Sequence, residues 1–230
     1  MNQWIADSAT AGVVISLIAY GIGTMAKKKW KLAIMNPLLL SIVLVIGFLA
    51  VFRIEYESYN ASAKYLSYLL TPATVSLAIP LYEKLDLLRK NVTAIFVGIL
   101  SGVLTSLVSV FVMSLLFRLS HEAYVTLLPK SITTAIGMGV SEELGGCVTI
   151  SVAVIIVTGV LGNMTAELIC KVFRIRNAIS RGIAIGTASH AIGTTKAMEM
   201  GEIEGAMSSL AIVVAGLCTV VGASVFASWI

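Results

Sequence analysis

Charge is scarce in this chain: Asp, Glu, Lys and Arg make up 12% of its 230 residues, where a soluble domain carries about a quarter. With 58% hydrophobic residues and a mean hydropathy of +0.97, that scarcity excludes an ordinary soluble domain and makes this an integral membrane protein. Cysteine is limited to Cys147, Cys170 and Cys218, an odd set with no metal-ligand spacing. A disulfide framework or a zinc centre is therefore not expected, and free buried thiols are. There is no nucleophile elbow, Walker loop, HExxH helix or dinucleotide fingerprint, so neither catalysis nor a cofactor is expected. The net charge of +4 does not signal nucleic acid, because the bases fall in clusters between apolar runs rather than on one soluble face.

What is present is length in apolar runs. Crossing ~30 Å of hydrocarbon takes roughly 20 residues, and six stretches qualify: 8–26, 34–52, 63–82, 91–117, 146–170 and 206–229. The N-terminal run has Asp7 before it and Lys27, Lys28, Lys29 and Lys31 after it, the reverse of a secretory signal, so it reads as an uncleaved span. Alternating the spans places residues 27–31 and 83–90 inside, 53–62 and 118–127 outside, and Lys171, Arg174, Arg176 and Arg181 in a further inner loop. Eleven of the sixteen Lys and Arg then lie inside, as the positive-inside rule asks. The expected fold is an all-α polytopic membrane protein with its N-terminus outside. It is one domain over 1–230, with N-terminal spans over 1–62, a first broken-helix region over 63–145 and a second over 146–230.

The chemistry concentrates in two polar, glycine-rich stretches that do not read as ordinary spans. Residues 128–145 enter from outside and 182–201 from inside. Each is either a re-entrant or broken helix or, if it crosses completely, one of eight spans. In the first, Pro129 suits a helix start, Lys130, Ser131, Thr133 and Thr134 follow it, and Gly137 and Gly139 weaken the helix before Glu142 and Glu143. Intramembrane charges point to function, and a half-helix N-terminus with Lys130 in its first turn suits an anion; the plain alternative is that Lys130 snorkels to the interface. Glu142 and Glu143 cannot both ionise cheaply in a low dielectric, which suits proton coupling, although a solvated loop or a helix cap fits too. The second stretch sets His190 among small and hydroxyl residues with Thr194, Thr195, Lys196 and Glu199. It could titrate near neutral pH or simply be a hydrogen-bonded packing residue.

There is internal similarity. Residues 72–80 match 129–137 at an offset of 57 in the pattern P-x-[TS]-[VI]-[ST]-x-A-I, which adds Thr74 and Ser76 to the candidate binding residues. Ala191-Ile192-Gly193 is a weaker third echo. Interrupted repeats of this kind mark the central site of transporters. The first two copies enter from the same face under this topology, and only the third enters oppositely. Gly98/Gly102, Gly182/Gly186 and Gly201/Gly205 have the small-xxx-small spacing of close helix contact, which permits a homodimer.

PKSITTAIGMGVSEELGG at 129–146 and GTASHAIGTTKAMEMGE at 186–202 resemble the LrgB/CidB family of bacterial membrane proteins, and the resemblance extends over essentially the whole chain. The plastid glycolate/glycerate translocator is a relative. The resemblance implies a bacterial cell-membrane location and two kinds of function. One is carriage of small monocarboxylates such as pyruvate, glycolate or glycerate. The other is antiholin-like control of murein hydrolase activity and lysis with a smaller LrgA/CidA-type membrane partner. The carrier reading leads, with a carboxylate held by Lys130 or His190, the Ser and Thr hydroxyls and the half-helix N-termini.

Overall fold

The structure is a computed structural model that describes residues 8–30, 36–76 and 78–230. Asp7 and Lys31 and the side chain of Thr74 lie outside the described residues. Among those described every regular element is helical, and the chain divides into two compact units, 1–76 and 77–230.

The first unit holds α1 (Ala11–Trp30), α2 (Pro37–Val51), α3 (Tyr56–Ala63), a 3₁₀ turn (Lys64–Leu69) and α4 (Leu70–Ser76). Asn36 starts α2 by accepting from Leu38 N and Leu39 N, with Pro37 at the first helical position. Helix α1 packs closely on α3: Gly12 N donates to Ser62 Oγ at 2.7 Å, and Ser16 Oγ lies 2.6 Å from Tyr59 Oη. Over 63–82, where a span was expected, the described residues form the 3₁₀ turn and α4 in this unit and the start of α5 in the next, with residue 77 outside the described residues.

The second unit holds α5 (Ala78–Glu83), α6 (Leu85–Lys90), α7 (Val92–Phe117), α8 (His121–Leu127), α9 (Thr134–Glu143), α10 (Val148–Val172), α11 (Ala178–Met200) and α12 (Glu202–Ala227). Helices α7, α10 and α12 are long and apolar enough to cross a membrane and fall where spans were expected. Helix α7 shows why this is a membrane fold. It buries Ile95, Ile99, Val103, Leu107 and Val110 at helical spacing while exposing Val97, Leu100, Leu104 and Leu116, so apolar residues cover both the packed face and the outward one.

Between these helices the chain twice turns back on itself. Tyr124 Oη donates to the Phe226 carbonyl at 2.8 Å, which ties the start of α8 to the end of α12. The end of α9 returns to the same face, where Gly146 lies against Thr126 and Ser141. There Cys147 N donates to Thr126 Oγ1 at 2.8 Å. The tip between α8 and α9 reaches just past the middle of α7, with Ser131 Oγ 3.2 Å from Ser106 Oγ. Residues 121–143 are thus a helical hairpin whose two ends lie on the same face of this unit. This corrects two expectations. Residues 118–127 are not simply an outer loop but include the inbound limb, and the outbound half-helix begins at Thr134 rather than Pro129. Proline cannot donate to the preceding turn, so here it helps to end α8.

Helix α11 is the second hairpin. Its backbone breaks at His190, with φ 42° and ψ −143°, a conformation that L side chains rarely adopt. Gly182 packs on Glu204 and Gly186 on Ser208, then Thr194 Oγ1 meets Ser208 Oγ at 2.7 Å and Met198 packs on Gly205. The first limb therefore runs along α12 and the second runs back. Ile185 and Ala197 share one apolar cluster, although a straight helix would hold them about 18 Å apart. Both limbs open on the face where α7 and α12 begin and α10 ends. That face carries Lys84, Arg89, Lys90, Lys171, Arg174, Arg176 and Arg181 and is called the basic face below. Hairpin 121–143 opens on the opposite face.

Candidate functional site

The two hairpin tips converge on one cavity of about 700 Å³. Ala94, Ile175 and Ser180 line its end toward the basic face. Its wall follows α7 through Ser101, Thr105, Ser106 and Ser109 and α10 through Thr158 and Gly162. Lys130 and Ser131 from the first tip and Thr187 and Ser189 from the second complete it. Small residues make the convergence possible: a Cβ on Gly162 would fall inside the Ser189 side chain, and one on Gly102 would press on Thr187.

Lys130 dominates the electrostatics. Its Nζ donates to Ser131 Oγ at 2.9 Å, and no ion pair within 4 Å is recorded for it among the described residues. An ammonium has three donors, so it retains hydrogen-bonding capacity toward the cavity. Lys196, by contrast, is neutralised by Glu167 and by Glu199 at 3.2 Å, and Arg181 by Glu204 at 3.5 Å. The hydroxyls of α7 are mostly spent on their own helix, Ser101 on the Gly98 carbonyl and Thr105 on the Ser101 carbonyl, so they turn lone pairs to the cavity. Thr187 differs. It is 6% exposed, and its Oγ1 has no hydrogen-bond partner, which is costly for a buried hydroxyl. A cation on the wall of a cavity lined by small residues and hydroxyls can bind a small anion; Thr187 contributes to that wall, although its Oγ1 is itself buried.

Of the residues expected to form the site, Lys130 and Ser131 line the cavity. Thr133 is the N-cap of α9 without a side-chain cap bond, and Thr134 opens that helix. His190 is buried at the second tip with its Nε2 3.0 Å from the Ile155 carbonyl oxygen and is not on the cavity wall. Thr194 is fully buried against the His190 carbonyl and Ser208. Thr195 accepts from Asn163 Nδ2 at 2.9 Å. Glu142 and Glu143 are exposed at the end of α9. Ser76, in the first unit, donates to the Ala73 carbonyl. Ser106, Thr105 and Thr158 were missed, since isolated serines and threonines in apolar helices carry no sequence signal of their own; Thr187 and Ser189 lay in the second polar stretch but were passed over for His190, Thr194 and Thr195. No group of three or more His, Cys, Asp or Glu residues suited to a metal occurs among the described residues.

The chain matches the LrgB-like family over residues 16–229. It is 40% identical over 220 residues to the antiholin-like protein LrgB of Bacillus cereus (strain B4264), covering 95% of this chain and 96% of that one. The antiholin-like protein LrgB of Bacillus anthracis (strain A0248) is similar to the same degree over the same shares. No solved structure matches the chain.

Proposed function

This chain belongs to the LrgB-like family, and on that premise we propose that it is a membrane carrier for a small monocarboxylate of the pyruvate, glycolate or glycerate type. The observation that carries the reading is Lys130: a cation with no ion pair within 4 Å among the described residues, on the wall of a cavity that Thr187 also lines. An intramembrane charge of this kind is costly unless a ligand meets it. The basic face is the cytoplasmic one in this reading and the N-terminus lies outside, in a bacterial cell membrane, where the chain acts alone or as a homodimer. Proton coupling belongs to the proposal, with Glu142 or Glu143, exposed at the end of α9, as the acceptor. The test is uptake of labelled pyruvate, glycolate and glycerate into proteoliposomes. Lys130→Met should lower uptake roughly ten- to a hundred-fold, as expected for the loss of about 1.5–3 kcal/mol in a charged hydrogen bond. Unchanged uptake by a folded Lys130→Met variant would remove the site. Glu142→Gln should flatten the pH dependence while leaving uptake at the optimum.

A second reading is favoured directly by the relatives' name, antiholin-like, which says nothing of transport. In it the chain restrains murein hydrolase activity and lysis together with an LrgA/CidA-type membrane partner. Loss of the gene product would then change autolysis even where proteoliposomes carry no carboxylate.

A further inference from the structure

We infer that the Lys130 site has a second access path, from the face opposite the basic one, and that the two paths open in turn. This deepens the carrier reading and rests on it for its purpose. The path is assigned by a repeat that the structure makes plain. Helix α7 with hairpin 121–143 and helix α10 with hairpin 178–200 are the same two-part unit, traversed in opposite directions across the molecule. The units correspond at an interval of 56 residues. Arg118 and Arg174 end the long helices in the left-handed conformation, at φ 51° and 54°. Each is followed by the same closing bond, Leu119 N to Ser114 O at 2.9 Å and Ile175 N to Cys170 O at 2.8 Å. Ala135-Ile136-Gly137 and Ala191-Ile192-Gly193 open the returning limbs at the same interval.

The order and direction of the elements correspond, although the inbound limb of the first hairpin leaves regular helix after Leu127 and that of the second stays helical as far as Ser189; the burial does not correspond. On the inbound limb of the second hairpin Ser180, Ala184 and Ala188, four residues apart, are exposed along the cavity. Their counterparts on the first hairpin, Tyr124, Leu128 and Ile132, are 0%, 1% and 2% exposed. Two like halves held in unlike states are what one end state of an alternating device looks like. Exchanging the halves gives the other end state, in which the limb bearing Tyr124 and Leu128 is uncovered and the limb bearing Ala184 is closed. Lys130, at the tip between them, belongs to both paths. The bistable element is the pair of hairpins.

The experiment uses full-length protein with Cys147, Cys170 and Cys218 replaced, carrying Ala184→Cys or Leu128→Cys or both, in vesicles of known orientation. A membrane-impermeant maleimide should label Ala184→Cys from the basic face only and Leu128→Cys from the opposite face only. In the double variant, a bulky maleimide placed first at 184 should wedge the present path open and slow labelling at 128 at least ten-fold. Tyr124→Cys reads the same path if Leu128→Cys unfolds. Failure of both to label from the opposite face, or full labelling of both positions at once, overturns the proposal. If labelling is mutually exclusive but no carboxylate is taken up, alternation stands and only the cargo assignment fails. If uptake occurs without exclusion, alternation fails and the carrier reading survives.

Discussion

His190 carries the sharpest local demand in the molecule. Its φ of 42° and ψ of −143° cost about 1–3 kcal/mol for a residue with a Cβ, and the turn of the second hairpin depends on them. Inside an ordinary helix glycine is worse than alanine by about 1 kcal/mol; here the order should reverse. Both His190→Ala and His190→Gly lose the bond to the Ile155 carbonyl, so the comparison isolates the backbone. Thermal unfolding in detergent should rank the glycine variant above the alanine one by about 1–2 kcal/mol, and the opposite ranking would mean that the tip relaxes. Thr187 sets a complementary test. Thr187→Val removes a buried hydroxyl with no partner, so the empty protein should be as stable as before or slightly more so, while uptake falls. A group kept against stability in this way is a binding group. Loss of stability together with uptake would mark Thr187 as structural instead.

At the scale of the elements, the close approach of α11 to α12 rests on glycine. A Cβ at Gly186 would collide with the Ser208 backbone, whereas one at Gly139, also in a helix, would meet nothing within 4 Å. Gly186→Ala should therefore lower the unfolding temperature and Gly139→Ala should hold or raise it, since an unobstructed Gly→Ala change stabilises by about 0.4–1 kcal/mol. The long helices were legible in the sequence because composition alone makes α7, α10 and α12. The limb 121–127 was not, because it is seven residues long and begins His-Glu; only packing on α12 buries Tyr124 and Val125. Polarity in an apolar setting revealed Lys130 and Ser131. Thr187 lies in the second polar stretch, but nothing local separates it from its neighbours there; only the packing shows that its hydroxyl lacks a partner. Orientation is tested by single cysteines in a background without the native three: Lys29→Cys and Arg174→Cys should label from the cytoplasm and Tyr59→Cys from outside. External labelling at 174 would reverse the faces.

Across the second unit as a whole, the echo that counts is the short Ala-Ile-Gly of the two tips. The longer match of 72–80 to 129–137 falls on a segment divided between the two units. Side-chain identity had nearly vanished from the true repeat, while helix ends, turns and directions were kept, so the repeat is legible chiefly in the backbone. One contact pattern has a consequence for the molecule's earliest history. Helix α12 supports both hairpins, the first through Phe226 and Gly216, the second through Glu204 and Ser208, and it is synthesised after both. At about 5–20 residues per second, Thr194 waits about 1–3 s for Ser208, 14 residues on, and Tyr124 about 5–20 s for Phe226, 102 residues on. The molecule's most exposed moment therefore comes at the ribosome, where an insertase or a membrane protease meets hairpins whose residues are made and whose buttress is not.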